Sequence, residues 1–326
     1  MQGRPDVFGV TGGFSLLAQI HADRRMAKLI DESSTVTLWI DVETALARAQ
    51  ARAGLIDGQT ADLIADQLAA SSINLPRLWS DSRTVGYPIL PLLNQLVEQM
   101  TPEASGRLHY GATTQDIMDT ALALQLVRAG GLILERLDAM GARLAERVES
   151  DRDHIIAART HAQQATPTTL GSKWAVFLSE FARQRTRLRQ AIDDVGCVSL
   201  FGAGGTSAAT GHGSDQVRRA LADELGLRYV SVPWHVARDS VAGFSLVCSN
   251  LAASTVRLAR EIVDLSRTEV GEVSEIRGPL RGASSTMPHK SNPILSEAII
   301  GFGVLATSSA GAVLRFVEAG HERAAG

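Results

Sequence analysis

Apolar residues recur at spacings of three and four over much of the chain. Leu122, Leu126, Ala129, Ile133, Leu137, Met140, Leu144 and Val148 form one such stripe, the spacing of a single continuous helical face. Ile117, Ala121 and Leu124 lie beside it. They widen the face beyond what a surface helix needs, so the spacing predicts a helix packed against several neighbours. Phe244, Val247, Leu251, Leu258, Ile262 and Leu265 predict a second long helix. No alternating pattern of comparable length predicts a strand. The prolines agree, because a helix interior tolerates them poorly. Pro102 to Pro167, Pro167 to Pro233 and Pro233 to Pro279 bound three proline-free stretches, each able to hold a helix far longer than the average of about 11 residues. The first hundred or so residues read as shorter helices, such as Thr35–Ala53 stopped by Gly54. The expected fold is all-α, with a small N-terminal helical domain at residues 1–111 and a long-helix bundle domain at 112–326.

Composition narrows the possibilities. At 326 residues and 45% hydrophobic content, the chain can bury a substantial core and divide into two domains. The formal net charge is −3 and the basic residues are scattered, so no stripe exists to hold nucleic acid or an anionic membrane. Cys197 and Cys248 are far apart, with no CxxC and no neighbouring histidine pair. That argues against a disulfide framework, a structural zinc or an iron–sulfur cluster, and fits a reducing cytoplasm. The N-terminus has no apolar signal core, so secretion is not expected. Residues 294–314 alone approach membrane length. They carry Glu297 and several serines, and read instead as a helix buried in a bundle.

Three segments break the helical monotony, each placed where a long helix is expected to begin. In His109 to Asp116, Thr113 and Asp116 have the spacing of a capping box. Arg159 to Pro167 is a polar run, containing Thr160, His161 and Gln164, whose proline suits the first turn of a following helix. Gly282 to Pro293 is small and hydroxyl-rich before it reaches Lys290, with Asn292 a natural N-cap and Pro293 a natural first helical residue. Three helix N-termini carrying donors would give positive potential and free backbone N–H groups, which suits a dicarboxylate. Lys290 at such a mouth is placed against the helix dipole, which makes sense beside an anion. Glu297 lies one turn into an apolar helix and needs a partner, for which His161 is the candidate.

The run Ser284-Ser285-Thr286-Met287-Pro288-His289-Lys290-Ser291-Asn292-Pro293 resembles the signature loop of the fumarase/aspartase superfamily, G-S-S-x-M-P-x-K-x-N. The other two segments resemble that family's first and second conserved regions in the same order. Ala283 stands where the family has glycine. The sequence ends at Gly326, where the family continues into a last long bundle helix and a small C-terminal helical domain, so that domain is expected to be absent and the bundle incomplete. The resemblance implies a homotetramer with each active site built from three subunits, no cofactor and no metal. It implies that Ser284 is the base removing a proton beside a carboxylate, leaving an aci-carboxylate that Lys290 and Asn292 hold. His161 paired with Glu297 would serve the leaving-group side, and Thr113, Thr114 and Thr160 would bind carboxylate oxygens. Gln164, Ser285 and Arg238 complete the expected binding set, for a small di- or tricarboxylate.

The finer signature is Phe201 to Thr206 and Pro233 to Asp239, together with Met287-Pro288-His289-Lys290. It is most similar to the 3-carboxy-cis,cis-muconate cycloisomerases and next to the adenylosuccinate lyases. The latter usually carry a histidine in an early loop, where Ser82 to Pro88 has none. A fumarate-releasing C–N lyase acting on a substituted succinate is the alternative activity. A non-catalytic structural homologue is the alternative of another class, and the presence of Ser284, His161 and Lys290 weighs against it.

Overall fold

A computed structural model describes residues 20–323 apart from 277, 280 and 288. The described chain is dominated by helices: α1 Arg24–Ile30, α2 Glu32–Arg52, α3 Gly58–Ala70, α4 Leu75–Val85, α5 Ile89–Val97, α6 Pro102–Ser105 and α7 Thr114–Ser150, then, after a hairpin, α8 Leu170–Val195, α9 Ser214–Leu225, α10 Asp239–Leu265 and α11 Ile294–Val313. The hairpin pairs β1 Ile155–Thr160 with β2 Gln163–Thr169 in antiparallel register. Two compact units result. One comprises residues 1–130, 192–238 and 317–326, the other 131–191 and 239–316. The division passes through α7 at Gly130 and Gly131, and the boundary expected at 111/112 falls inside the first unit, just before that helix begins.

Several helices of the first unit start at a side-chain cap. Asp31, Asp57 and Asn74 each accept a first-turn N–H from Ser34, Thr60 and Arg77, at 2.6, 2.8 and 3.0 Å, each contact stabilising a helix start by about 1 kcal/mol. The helix expected at Thr35–Ala53 runs Glu32–Arg52, starting earlier because Asp31 caps it. Its buried face, including Val36, Trp39, Val42 and Leu46, packs with Ile64, Leu78, Leu92, Leu96, Val198, Val217 and Leu221 into one core. Ile117, Ala121 and Leu124 of α7 join that core. Leu92 is fully buried, and Leu92→Ala is expected to destabilise this unit by about 2–5 kcal/mol, measured by denaturant unfolding.

The second unit joins the C-terminal part of α7 to the hairpin, α8, α10 and α11. Gln184 of α8 donates to Asn250 and Ser254 of α10, both at 3.0 Å, and Lys173 pairs with Glu261 at 2.5 Å. Helices α10 and α11 pack so closely that a Cβ on Gly303 would lie 2.1 Å from Val256 Cγ2. Only a glycine fits there without repacking.

Two expectations change here. Arg159 to Pro167 does not lead directly into a helix. It forms most of the hairpin, with Pro167 opposite Ala157 in β2 and α8 starting only at Leu170; a two-stranded sheet has only edges, where proline is tolerated. Residues 294–314 are not alone in membrane-like length either. Thr114–Ser150, Asp239–Leu265 and Ile294–Glu318 are each long and apolar enough to cross a membrane by length and composition. Within the structure only 11% of the apolar window of the last is buried, so burial on all its sides is not a property of the single chain.

Candidate active site

The signature loop is tied at its neck. Gly282 O accepts the Asn292 backbone N–H at 2.9 Å and the Asn292 side-chain amide at 3.1 Å, and Ala283 bridges Ser291. Gly282 has φ +68°, and a Cβ there would sit 2.5 Å from Asn292 O. Both facts require glycine. Asn292 therefore closes the loop instead of capping the helix. The N-cap is Pro293, with no side-chain hydrogen bond of its own, and the helix starts at Ile294. The loop's missing cap comes from Glu275, whose carboxylate accepts the N–H groups of Leu295 and Ser296 at 3.2 and 2.8 Å.

Inside the loop, Ser284 Oγ accepts the backbone N–H groups of Thr286 at 3.2 Å and Met287 at 3.1 Å, and lies 3.3 Å from Thr286 Oγ1. Two donors converging on one hydroxyl oxygen favour negative charge on it. Lys290 is exposed and makes no ion pair among the described residues. A cavity of about 1230 Å³ is lined by Lys290, Asn292, His289, Glu297, Glu275 and Glu272, among others. Ser285 is exposed on the loop and Glu297 on α11.

His161 stands at the tip of the hairpin, where His161 and Ala162 have φ of +51° and +61°. Two left-handed central residues make a two-residue type I′ turn, a geometry that favours Asn-Gly. Here it strains a histidine and an alanine at about 1–2 kcal/mol each. Ala162→Gly is accordingly expected to raise the melting temperature slightly, and calorimetry measures it. Thr160 and Gln164 flank the tip, both exposed. One residue before Thr160, Arg159 makes a bidentate pair with Glu272 at 2.6 and 2.8 Å, and its hydrogen bonds hold the Glu272 carboxyl below the usual range. His161 and Glu297 are not brought together by hydrogen bonding: among the described residues neither side chain has such a partner.

In the first unit a buried carboxylate organises the start of α7. Asp116 is fully buried and accepts from Thr113 N (3.1 Å), Ser199 Oγ (3.0 Å), Phe201 N (3.0 Å), Gly202 N (2.8 Å) and His235 Nε2 (2.8 Å). The Thr113–Asp116 capping contact is thus real, but Asp116 also fastens both finer-signature segments. One turn on, Asp119 pairs with Arg238 at 2.9 Å; burial raises the Asp119 carboxyl above its ordinary value against the lowering pull of Arg238. Thr114 opens the helix, half-buried, and Thr113 Oγ1 accepts from Arg323 at 3.1 Å.

Each of the three helix starts makes contacts within the chain. Asp116 engages the residue before α7, Thr169 Oγ1 accepts Ser172 N of α8 at 3.1 Å, and Glu275 caps α11. Helix termini satisfy their own donors where they can. Sequence reasoning missed Glu275, Glu272, Asp119, His235 and Arg323. Two aspartates three residues apart on an otherwise apolar helix face were the signal for the Asp116 and Asp119 pairs.

His109 Nδ1 lies 2.5 Å from the buried Glu43. Burial opposes the imidazolium, but the Glu43 hydrogen bond and charge outweigh it and raise the pKa above the ordinary 6.5. A raised folded value stabilises fully below the ordinary pKa and is lost as pH rises through the folded one. Stability is expected to fall over that window, and Glu43→Gln to flatten the fall, as measured by melting against pH.

Comparison with known proteins gives the family. The family described as Lyase matches residues 18–306. The chain is 38% identical over 290 residues to 3-carboxy-cis,cis-muconate cycloisomerase of Pseudomonas aeruginosa, covering 88% of this chain and 63% of the relative. It is 36% identical over 287 residues to adenylosuccinate lyase of Methanothermobacter thermautotrophicus, covering 87% and 64%. The crystal structure of the 3-carboxy-cis,cis-muconate lactonizing enzyme from Pseudomonas putida superimposes with a TM-score of 0.88 at 34% identity, covering 93% and 68%. The long helices are those of the fumarase/aspartase fold. The chain belongs to the lyase family of the fumarase/aspartase superfamily, and it spans about 63% of the length of the cycloisomerase relative.

Proposed function

We propose that the protein is a lyase or cycloisomerase acting on a small di- or tricarboxylate, most like 3-carboxy-cis,cis-muconate cycloisomerase. The observation that carries this is the loop itself, in which two N–H groups point at Ser284 Oγ while Lys290 stands unpaired among the described residues at a cavity. An ordinary serine is too weak an acid to ionise freely, and such donors together with a cation in a closed site favour its alkoxide. Ser284 takes the proton from the carbon next to a carboxylate. The C–H electron pair moves into the aci-carboxylate, whose charge Lys290 and Asn292 hold. Its collapse expels the group on the neighbouring carbon, and His161, which meets Glu297 only once the copies assemble, supplies that group's proton. When the leaving group is a carboxylate of the same molecule, the elimination opens a lactone and the reverse closes one. Thr113, Thr114, Thr160, Gln164, Ser285 and Arg238 bind the remaining carboxylate oxygens.

The homology to adenylosuccinate lyase supports a second reading, elimination of an amine from a substituted succinate. Incubation with both substrate types distinguishes the two.

We further propose that the protein works in the cytoplasm as a homotetramer, with the loop, the hairpin tip and the Thr113 region of one site coming from different copies. The division into a 1–111 helical domain and a 112–326 bundle domain belongs to this assembly. Leu122, Leu126, Ile133, Met140 and Val148 are only half-buried in the single chain, as is most of α10, and α11 is mostly exposed; burial against other copies accounts for these faces. The two free thiols, with Cys248 pushed up to about 11 by burial, fit a reducing compartment. Light scattering on the purified chain is expected to give four copies, and a monodisperse monomer at micromolar concentration would refute the assembly.

A further inference from the structure

Glu275 lies seven residues before Gly282, on the strand of chain that enters the loop. Its Oε1 accepts both the N–H and the hydroxyl of Ser296 at 2.8 Å, and its Oε2 accepts Leu295 N–H at 3.2 Å. The incoming segment is thereby bonded to the first turn of the helix that leaves the loop. Ser296 is 3% exposed, and the next residue is Glu297. Pro293, at the N-cap, offers no side-chain bond, so no other described side chain performs this task at α11. A carboxylate is well matched to that position, since it meets both free N–H groups and the positive end of the helix dipole.

We propose that Glu275 is a positioning residue for the loop chemistry. Through the first turn of α11 it fixes the neck from which Lys290 projects and the direction in which Glu297 leaves the helix, and the second tie, Asn292 to Gly282, holds Ser284 in the same frame. Glu275 acts through these groups and transfers no proton. The inference rests on the reading of the loop as catalytic, and it adds a residue that lies outside the signature. Displacing a reacting group by about 1 Å can cost about 10²-fold in rate.

The test compares wild-type protein with Glu275→Ala, Glu275→Asp and Glu275→Gln, using two readouts. Hydrogen–deuterium exchange over residues 293–297 reports the anchoring independently of activity. It is expected to be fastest in the Ala variant, intermediate in Asp, whose shorter side chain cannot span the gap, and nearest to wild type in Gln, which keeps one acceptor oxygen. Steady-state kinetics on 3-carboxymuconate is expected to show kcat reduced about 10²-fold in Ala with KM within a few-fold of wild type, and a partial rescue in Gln. Unchanged exchange in the Ala variant overturns the anchoring whatever the activity. Faster exchange with unchanged kcat, in a wild-type background that is active, overturns the positioning role while leaving the functional reading intact. A wild-type protein inactive on every carboxylate tried sinks the functional reading and the positioning role together.

Discussion

Replacing Ser284 by Ala is expected to lower kcat by about 10²–10⁴-fold, the range for removing a general base, with KM and the fold nearly unchanged. The hydroxyl oxygen accepts the N–H groups of Thr286 and Met287. That contact has two consequences that pull apart under mutation. As a turn cap, Ser284 shapes the loop, and its loss would loosen the loop and raise KM modestly. As a base, it carries charge that exists only on the way to the transition state, and its loss falls on kcat. Ser285→Ala supplies the control. Ser285 is exposed and is assigned to substrate binding, so its removal should be milder and weigh on KM. Similar small losses in both variants would reduce Ser284 to a loop-shaping residue.

The largest expected effect on stability comes from Asp116→Asn. Asp116 accepts five hydrogen bonds while fully buried, and an asparagine of the same shape offers one acceptor oxygen in place of two and turns an NH₂ toward N–H donors. Phe201 N, Gly202 N or His235 would be left unsatisfied. Breaking one side of such a buried arrangement costs about 3–5 kcal/mol, a large share of the about 5–15 kcal/mol that holds a typical domain. Urea unfolding of the variant measures this directly. A loss below 1 kcal/mol would mean that the Phe201 to Thr206 and Pro233 to Asp239 segments are held by something other than Asp116.

What the sequence made legible was whatever follows from local periodicity. The α7 and α10 stripes fall inside single helices as expected, because a spacing of three and four survives any tertiary arrangement. Which stripe is buried did not follow. Ile117, Ala121 and Leu124 are in the core while Leu122 and Leu126 are half-buried, since that depends on neighbours distant in sequence. The hairpin was hidden for a related reason. Ile155 to Thr169 contains a proline, polar pairs and a turn made by His161 and Ala162 in place of glycine or asparagine, so none of the usual turn residues mark it. At the site, the motif located Ser284, Lys290 and Asn292. It could not reveal that Asn292 ties the loop while a carboxylate 17 residues upstream caps the helix. The division of labour between Asn292 and Glu275 is a matter of geometry. Likewise, the sequence did not reveal that Arg238 pairs with Asp119, which orients its guanidinium.

The central claim is that this loop removes a proton beside a carboxylate. It is tested most directly by following the ultraviolet absorbance of 3-carboxy-cis,cis-muconate, whose conjugated double bonds are interrupted when the lactone closes, with wild-type protein and the Ser284→Ala variant side by side. A steady fall in absorbance with wild type that is lost in the variant is the predicted result. No change with wild type, on this substrate and equally on adenylosuccinate and a panel of substituted succinates, would contradict it.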